Sequence, residues 1–318
     1  MINAKVLAPA TREAWLERRR LVIGASEASS LFGAGDTDDD NPWASLFKLS
    51  ALKTGLVSSE AENENMRRGR LLEPVAIQCI KEEHPDWIVQ HNALPNLQYF
   101  VDSKSRIGAT PDAFLKVPGR DGRGIIQIKS VDRFAFKKRW VHEDGAVTPP
   151  LYVAIQASIE CAITDSQFAY VAALVVNRGV DLYLSEIQVE PGLYAAAAER
   201  SLAFWEKIDR GETYAPDFAK DGDLIQQIYA DPEPGKEIDL SGDNEIVELA
   251  ENDRLLSKIE KETKEGLKAI KSKMLFKMKD AEIARFRGEI IATAKTVSRK
   301  GYEVKPSNFR QLRFNSIL

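Results

Sequence analysis

One stretch constrains this chain more than any other: residues 107–131, reading IGATPDAFLKVPGRDGRGIIQIKSV. Two short apolar runs, Ala113-Phe114-Leu115 and Gly124-Ile125-Ile126-Gln127-Ile128, are joined by the turn-rich PGRDGRG. β-Branched residues bounded by Gly and Pro mark strands, so the stretch predicts a hairpin with a long loop. Asp112 stands at the start of the first strand. In the second, Gln127 and Lys129 are two apart and share a face, while Ile126 and Ile128 point the other way into a core. An acid facing a polar–x–Lys pair on the neighbouring strand is a polar site on an apolar platform. Buried polar groups of that kind need partners or a bound ion. The plainer alternative is a surface hairpin with ordinary polar alternation.

A length of 318 residues suits one large domain or two smaller ones. Hydrophobic content of 44% and charged content of 29% are ordinary for a soluble globular protein. No apolar run approaches the roughly eighteen residues of a membrane span. The N-terminus, MINAKVLAPATREAWLERRR, lacks an apolar h-region, so nothing in it suggests secretion. Cys79 and Cys161 fall in predicted helices without metal-ligand spacing and read as buried small hydrophobes in a reducing cytosol. His84, His91 and His142 are widely spaced, which argues against zinc. The net charge of −4 does not announce a nucleic-acid binder. Basic clusters nevertheless stand at Arg18-Arg19-Arg20, Arg67-Arg68, Lys137-Lys138-Arg139 and in the tail 285–313, while 212–251 is mainly acidic. A local basic groove on an acidic protein is one reading, and solvated faces are the other.

In chain order, residues 11–20 predict a helix capped by Thr11. The small residues Gly24-Ala25-Ser26 could open a second helix whose free N–H groups, beside Arg19 and Arg20, would suit a phosphate. Simple capping by Ser26 explains them equally. An acidic loop at 34–42 precedes a helix from Pro42-Trp43 to about Leu52. Residues 60–83 have the spacing of a largely buried helix carrying Glu73, with Gly69 allowing close approach of another backbone. Within that helix Glu73 is either ion-paired or a site residue.

Strands are expected at 87–89 and 97–101, then the central hairpin. A helix from Pro149-Pro150 places Tyr152, Gln156 and Glu160 at i, i+4 and i+8 on one face. A strong hairpin turns at Asn177-Arg178-Gly179, and Pro191 begins another helix to about Arg210. Residues 212–243 read as a Gly-, Pro- and Asp-rich acidic linker. Residues 244–282 read as a long amphipathic helix or short coiled coil, and 285–314 as a basic hairpin.

This order of a helix with Glu73, strands, Asp112, Gln127-x-Lys129, a helix with Gln156 and two more strands resembles the PD-(D/E)xK nuclease core. The motifs RRLVIGAS (Arg19 to Ser26), Gly69-x-x-x-Glu73-Pro74 and Tyr152-x-x-x-Gln156 are similar to those of the YqaJ-like viral recombinase family, to which lambda-type exonuclease belongs. The likeness covers about residues 12–210. It implies a mixed α/β, restriction-endonuclease-like domain over 1–211, with a central mixed sheet flanked by helices. The acidic linker 212–243 and a helix-and-hairpin extension over 244–318 would follow.

The same resemblance implies an Mg2+-dependent exonuclease (Mn2+ substituting) that would degrade linear double-stranded DNA from its ends, 5′ to 3′, in phage-type recombination. Asp112 would be the central metal ligand, Glu73 a second carboxylate and the Ile128 carbonyl a backbone ligand. Lys129 would polarise the attacking water, and Gln156 would bond that water or the phosphate. Arg19 and Ser26, with Arg20 beside them, would hold a terminal 5′-phosphate. Asp102 matches an acidic family position with a structural role. A ring-shaped homo-oligomer, a single-strand annealing partner and the cytoplasm of a bacterial or phage-infected cell are implied as well.

One position departs from the pattern. The family expects Glu or Asp where this chain has Gln127, whose carbonyl can ligate magnesium but brings no charge. The chain is then a disarmed form that still binds DNA, or works with a neutral ligand, or has moved the acid elsewhere, with Glu160 the candidate. A non-catalytic DNA-binding or assembly protein on a nuclease fold, and a structure-selective endonuclease, are the competing functions.

Overall fold

The computed structural model describes residues 2–33, 45–57, 63–298, 310 and 312. The chain divides into two compact units, Met1–Ile228 and Tyr229–Leu318.

Unit one starts with β1 (Lys5–Leu7) and α1 (Arg12–Arg20), the latter capped as expected by Thr11 Oγ1, which accepts from Ala14 N–H at 3.2 Å. β2 (Ile23–Gly24) runs straight into a 3-10 helix, Ala25–Phe32. Its N-terminus is closed by Glu27, whose carboxylate accepts from Gly24 N–H at 2.7 Å. Ser26 is therefore not the cap. Helix α2 (Leu46–Thr54) ends at Gly55, which takes φ +75°. The expected start of this helix at Pro42-Trp43 and the acidic loop before it lie outside the described residues.

Helix α3 spans Glu64–Glu83. It is amphipathic rather than largely buried: only Ala76, Ile77 and Ile80 are inside, whereas Met66, Leu71 and Val75 are exposed. A Cβ at Gly69 would meet nothing within 4 Å among the described residues, so none of them makes the expected close backbone approach.

Strands β3 (Ile88–His91), β4 (Tyr99–Asp102), β5 (Ile107–Ala109), β6 (Ala113–Lys116) and β7 (Gly124–Asp132) follow. Then come α4 (Arg133–Arg139), α5 (Leu151–Ile163), β8 (Phe168–Val176), β9 (Val180–Ile187), α6 (Leu193–Asp209) and α7 (Gly222–Ile228). The central mixed sheet has the order β3-β6-β7-β8-β9, antiparallel except for the β7–β8 pair. A second sheet, β1-β4-β5-β2, was not separated by sequence pattern; in it β1, β4 and β5 pair antiparallel and β2 joins β5 in parallel.

The predicted hairpin is the β6–β7 pair, with Ala113 opposite Ile126 and Leu115 opposite Gly124. It is not a surface hairpin, because β7 is covered on both faces. Ile126 and Ile128, with Ala172 and Leu174 of β8, pack against Ala76, Ile77 and Ile80 of α3. Ile125, with Ala169, Val171 and Ala173, packs on the other face with Val153, Ala157 and Ile159 of α5. Parallel strands covered on both faces lose the polar alternation of a surface sheet, and the fully buried Ile125 and Ile126 each contribute about 1.5–3 kcal/mol.

Gly124 is required where β7 leaves the loop. A Cβ there would stand 2.1 Å from Cε2 of Phe168, a ring 2% exposed and covered by the Arg120 guanidinium at 3.9 Å. Gly124→Ala should cost about 1–3 kcal/mol through overpacking. Urea unfolding checks this, and an unchanged midpoint would show that the ring yields freely.

Unit two holds α8 (Glu245–Met278) and a hairpin, β10 (Ile283–Phe286) with β11 (Glu289–Thr293). The hairpin turns at Arg287-Gly288, near the start of the expected 285–314. Residues 299–309, 311 and 313–318 lie outside the described part. Among the described residues, no helix is long and apolar enough to cross a membrane.

Candidate functional site

Asp112 occupies the crossing from the second sheet into the central one, directly before β6. Asn92, 5% exposed, fixes that crossing. Its Nδ2 donates to the carbonyls of Pro111 (2.8 Å) and Gln98 (3.0 Å), its Oδ1 accepts from Gln98 N–H, and its own N–H donates to the Asp112 carbonyl. The Asp112 carboxylate then accepts from Gln127 Nε2 and from Ile128 N–H, each at 2.6 Å on Oδ2. In an extended strand a residue's N–H and C=O leave by the same edge, so the Ile128 carbonyl lies on the edge that faces Asp112.

Gln127 and Lys129 share the β7 face covered by α5. Lys129 Nζ donates to Gln156 Oε1 at 2.8 Å, and Gln156 Nε2 donates to Glu160 Oε1 at 2.9 Å. The i, i+4 spacing on α5 thus becomes a relay from a strand lysine to a buried acid. Gln127, Gln156 and Glu160 are 4%, 7% and 1% exposed. Asp112 is pushed up from the ordinary carboxylate range by burial and by the Glu73 charge, against the pull of Lys129 and the Ile128 N–H. Glu160 is pushed up by burial and by Asp112, against the Gln156 hydrogen bond and the charges of Lys129 and Arg19. Carboxyls with raised values set close together make this region a candidate site.

Glu73 lies near enough to act on Asp112, but its Oε1 stands 2.5 Å from Nε2 of His91 at the end of β3. His91 was not foreseen as a site neighbour. Its only sequence signal was a lone His at a strand end, and the contact needs α3 laid across the sheet. Asp102 accepts from Ser105 Oγ, Lys104 N–H and Tyr194 O–H. Burial works to raise this carboxyl, yet the three donors together hold it below its ordinary value.

Arg19 and Ser26 are brought together: Nη2 donates to the exposed Ser26 hydroxyl at 3.0 Å, and the guanidinium lies 4.7 Å over Trp15. Arg20 is not part of this pair. It turns towards Gly55, where a Cβ would meet its Nη2 at 3.0 Å. Behind Arg19 lies a pair no local pattern announced. Lys53 Nζ, on a side chain 4% exposed, donates to Glu27 Oε2 at 2.6 Å and to the Arg19 carbonyl at 3.0 Å. The 3-10 helix packs on α5, and Arg19 is near enough to act on Glu160, so the basic pair and the acid cluster belong to one region.

The residues fit a hard divalent cation. No group of three His, Cys, Asp or Glu side chains among the described residues gathers as a metal cage. Magnesium does not ask for one, since it is held by one or two carboxylates with neutral oxygens and waters. Two buried side-chain oxygens in this region, Gln127 Oε1 and Glu160 Oε2, have no donor among the described residues.

Residues 14–167 match the family model described as the YqaJ-like viral recombinase domain. That stretch of the chain is similar to the YqaJ-like viral recombinase domain. The uncharacterised protein YqaJ of Bacillus subtilis (strain 168) is 25% identical over 278 residues, covering 86% of this chain and 80% of its own length. An alkaline exonuclease from Laribacter hongkongensis is similar in structure, with a TM-score of 0.47 at 19% identity over 63% of this chain and 93% of its own. A phage-related exonuclease from Haemophilus somnus 129PT gives 0.41 at 12% identity over 62% and 99%. Within this YqaJ-like domain lie Arg19, Ser26, Glu73, Asp112, Gln127, Lys129, Gln156 and Glu160.

Proposed function

We propose that the chain is a metal-dependent deoxyribonuclease that degrades linear duplex DNA from its ends, 5′ to 3′, with Mg2+ as cofactor, in recombination of the phage type. One observation carries the reading: the chain from Lys129 through Gln156 to Glu160 lies near enough to Asp112 and to Arg19 for both charges to act on Glu160. The YqaJ-like domain over 14–167 supports it. Bound Mg2+ would lower the pKa of water and offset charge on phosphate oxygens. Asp112 and Glu73, with the Ile128 carbonyl and the Gln127 amide oxygen, are the groups that would hold it.

The chain's own residues do the rest. Lys129, steadied by Gln156, brings a fixed positive charge to where negative charge grows on the phosphate. Arg19 and Ser26 offer a guanidinium and a hydroxyl to a terminal phosphate, and charge-assisted bonds of this type are the strong ones. Arg20, outside that pair, contributes charge only. A ring-shaped oligomer on duplex DNA and a single-strand annealing partner belong to the same proposal.

Linear duplexes with 5′-phosphate and 5′-hydroxyl ends, and a covalently closed circle, separate the alternatives. Expected is loss of the linear forms only, stopped by chelator, with the phosphorylated end preferred about tenfold or more and the preference lost in Arg19→Ala. Equal rates on the two ends would remove Arg19 from the role, and cleavage of the circle would favour an endonuclease. A DNA-binding protein without cleavage is the second reading, favoured by the uncharged Gln127; DNA retention without cleavage in Mg2+ would select it.

A further inference from the structure

Glu160 is the least comfortable residue in the site. It is 1% exposed, its Oε1 has one neutral donor in Gln156, and its Oε2 has none among the described residues. A buried carboxylate so thinly served is costly unless something cationic completes it. The nearest cation in its own hydrogen-bond chain, Lys129, stands one link away and bonds Gln156 instead. Neighbouring positions on α5 are apolar and packed, among them Val153, Ala157 and Ile159. Packing alone gives no reason for an acid here.

Gln127 shows the complementary fault. Its Nε2 is committed to Asp112, because the reversed amide would set its oxygen against a carboxylate oxygen. Its Oε1 is thereby left buried without a donor. Gln127 and Lys129 are two residues apart on one strand face, about 7 Å. Gln127 is thus tied to Asp112 by one hydrogen bond, and Glu160 to Lys129 by two, through Gln156.

We propose that Glu160 supplies from α5 the carboxylate charge that Gln127 does not supply from β7, and takes part in holding the divalent cation at Asp112. The inference rests on the metal site proposed above and goes beyond it in assigning the acid. It also gives Gln156 a second task as a positioning residue, since its amide orients Lys129 and Glu160 at once.

The test is Mn2+ binding to the full chain, by calorimetry and by the Mn2+-induced rise in melting temperature. Four proteins are compared: wild type, Glu160→Gln, the exchange Gln127→Glu/Glu160→Gln, and Asp112→Asn. Glu160→Gln keeps an acceptor for Gln156 and removes only the charge. Expected is a loss of about tenfold or more in Mn2+ affinity for Glu160→Gln, as ligand-shell changes produce, with a smaller Mn2+-induced shift. The exchange variant should recover most of the affinity, which a merely structural role for Glu160 would not explain. Wild-type affinity in Glu160→Gln, alongside a loss in Asp112→Asn, would overturn the assignment and leave the metal site standing. No Mn2+ binding by wild type, or no loss in Asp112→Asn, would overturn the metal site and this inference with it.

Discussion

Lys129→Ala should lower the rate of Mg2+-dependent cleavage of linear duplex DNA by about 10²–10³-fold, the usual cost of removing one preorganised electrostatic group. The expectation comes from where the ammonium is held. β7 is buried on both faces and cannot shift, and the side chain is fixed by Gln156 Oε1 at 2.8 Å. A charge placed on a rigid strand costs no reorganisation when the phosphate becomes more negative. Duplex affinity should change little, since one phosphate contact among many is lost. Single-turnover cleavage with saturating protein separates the two effects. A rate within threefold of wild type would remove Lys129 from the chemistry, and a loss appearing only in affinity would make it a binding residue.

Glu27→Gln should destabilise unit one by about 3 kcal/mol, at the low end for breaking a buried pair because the Glu27 side chain is 24% exposed. The penalty arises from Lys53, which is 4% exposed and would lose its carboxylate while staying inside. Burial works to raise the Glu27 carboxyl, yet the charges of Lys53 and Arg19 and the donors from Lys53 and Gly24 hold it below its ordinary value. Tyr99, the other titratable group beside it, is pushed up to about 12 by burial and stays neutral.

A carboxyl depressed in the folded state stabilises above its unfolded value, and that contribution disappears as pH falls through the folded value. The gap between wild type and Glu27→Gln should therefore be full near neutrality and narrow on acidification. Urea unfolding at a series of pH values measures it, and a gap that widens in acid would refute the pairing. Since Lys53 also holds the Arg19 carbonyl, the variant should lose preference for 5′-phosphate ends in step with its stability.

The features of the site differ in how far they could be read from the chain. The β6–β7 pair, the Thr11 cap, the turn at 177–179 and the shared face of Gln156 and Glu160 depend on pitch, pleat and turn chemistry within a few residues. Those are local properties, and the sequence displays them directly. The reading of α3 as largely buried failed for a related reason. Apolar spacing reports which residues could be covered, and only the sheet decides that Ala76, Ile77 and Ile80 are covered while Met66 and Leu71 are not.

The sequence by itself determined the strand pair, the acid before it and the Gln-x-Lys on one face. It also carried the YqaJ-like motifs and the missing charge at position 127. Only the tertiary structure decided that α5 lies over the Gln127–Lys129 face rather than the Ile126–Ile128 face, which sets Lys129, Gln156 and Glu160 in one hydrogen-bonded chain on the face that also carries the Gln127–Asp112 bond. It alone set His91 against Glu73, and Lys53 beneath Glu27 across 26 residues of chain. The physical reason is that helix and strand periods fix directions around each element's own axis. Which directions meet depends on strand order and on the face each helix covers, and those follow from burying the whole core at once.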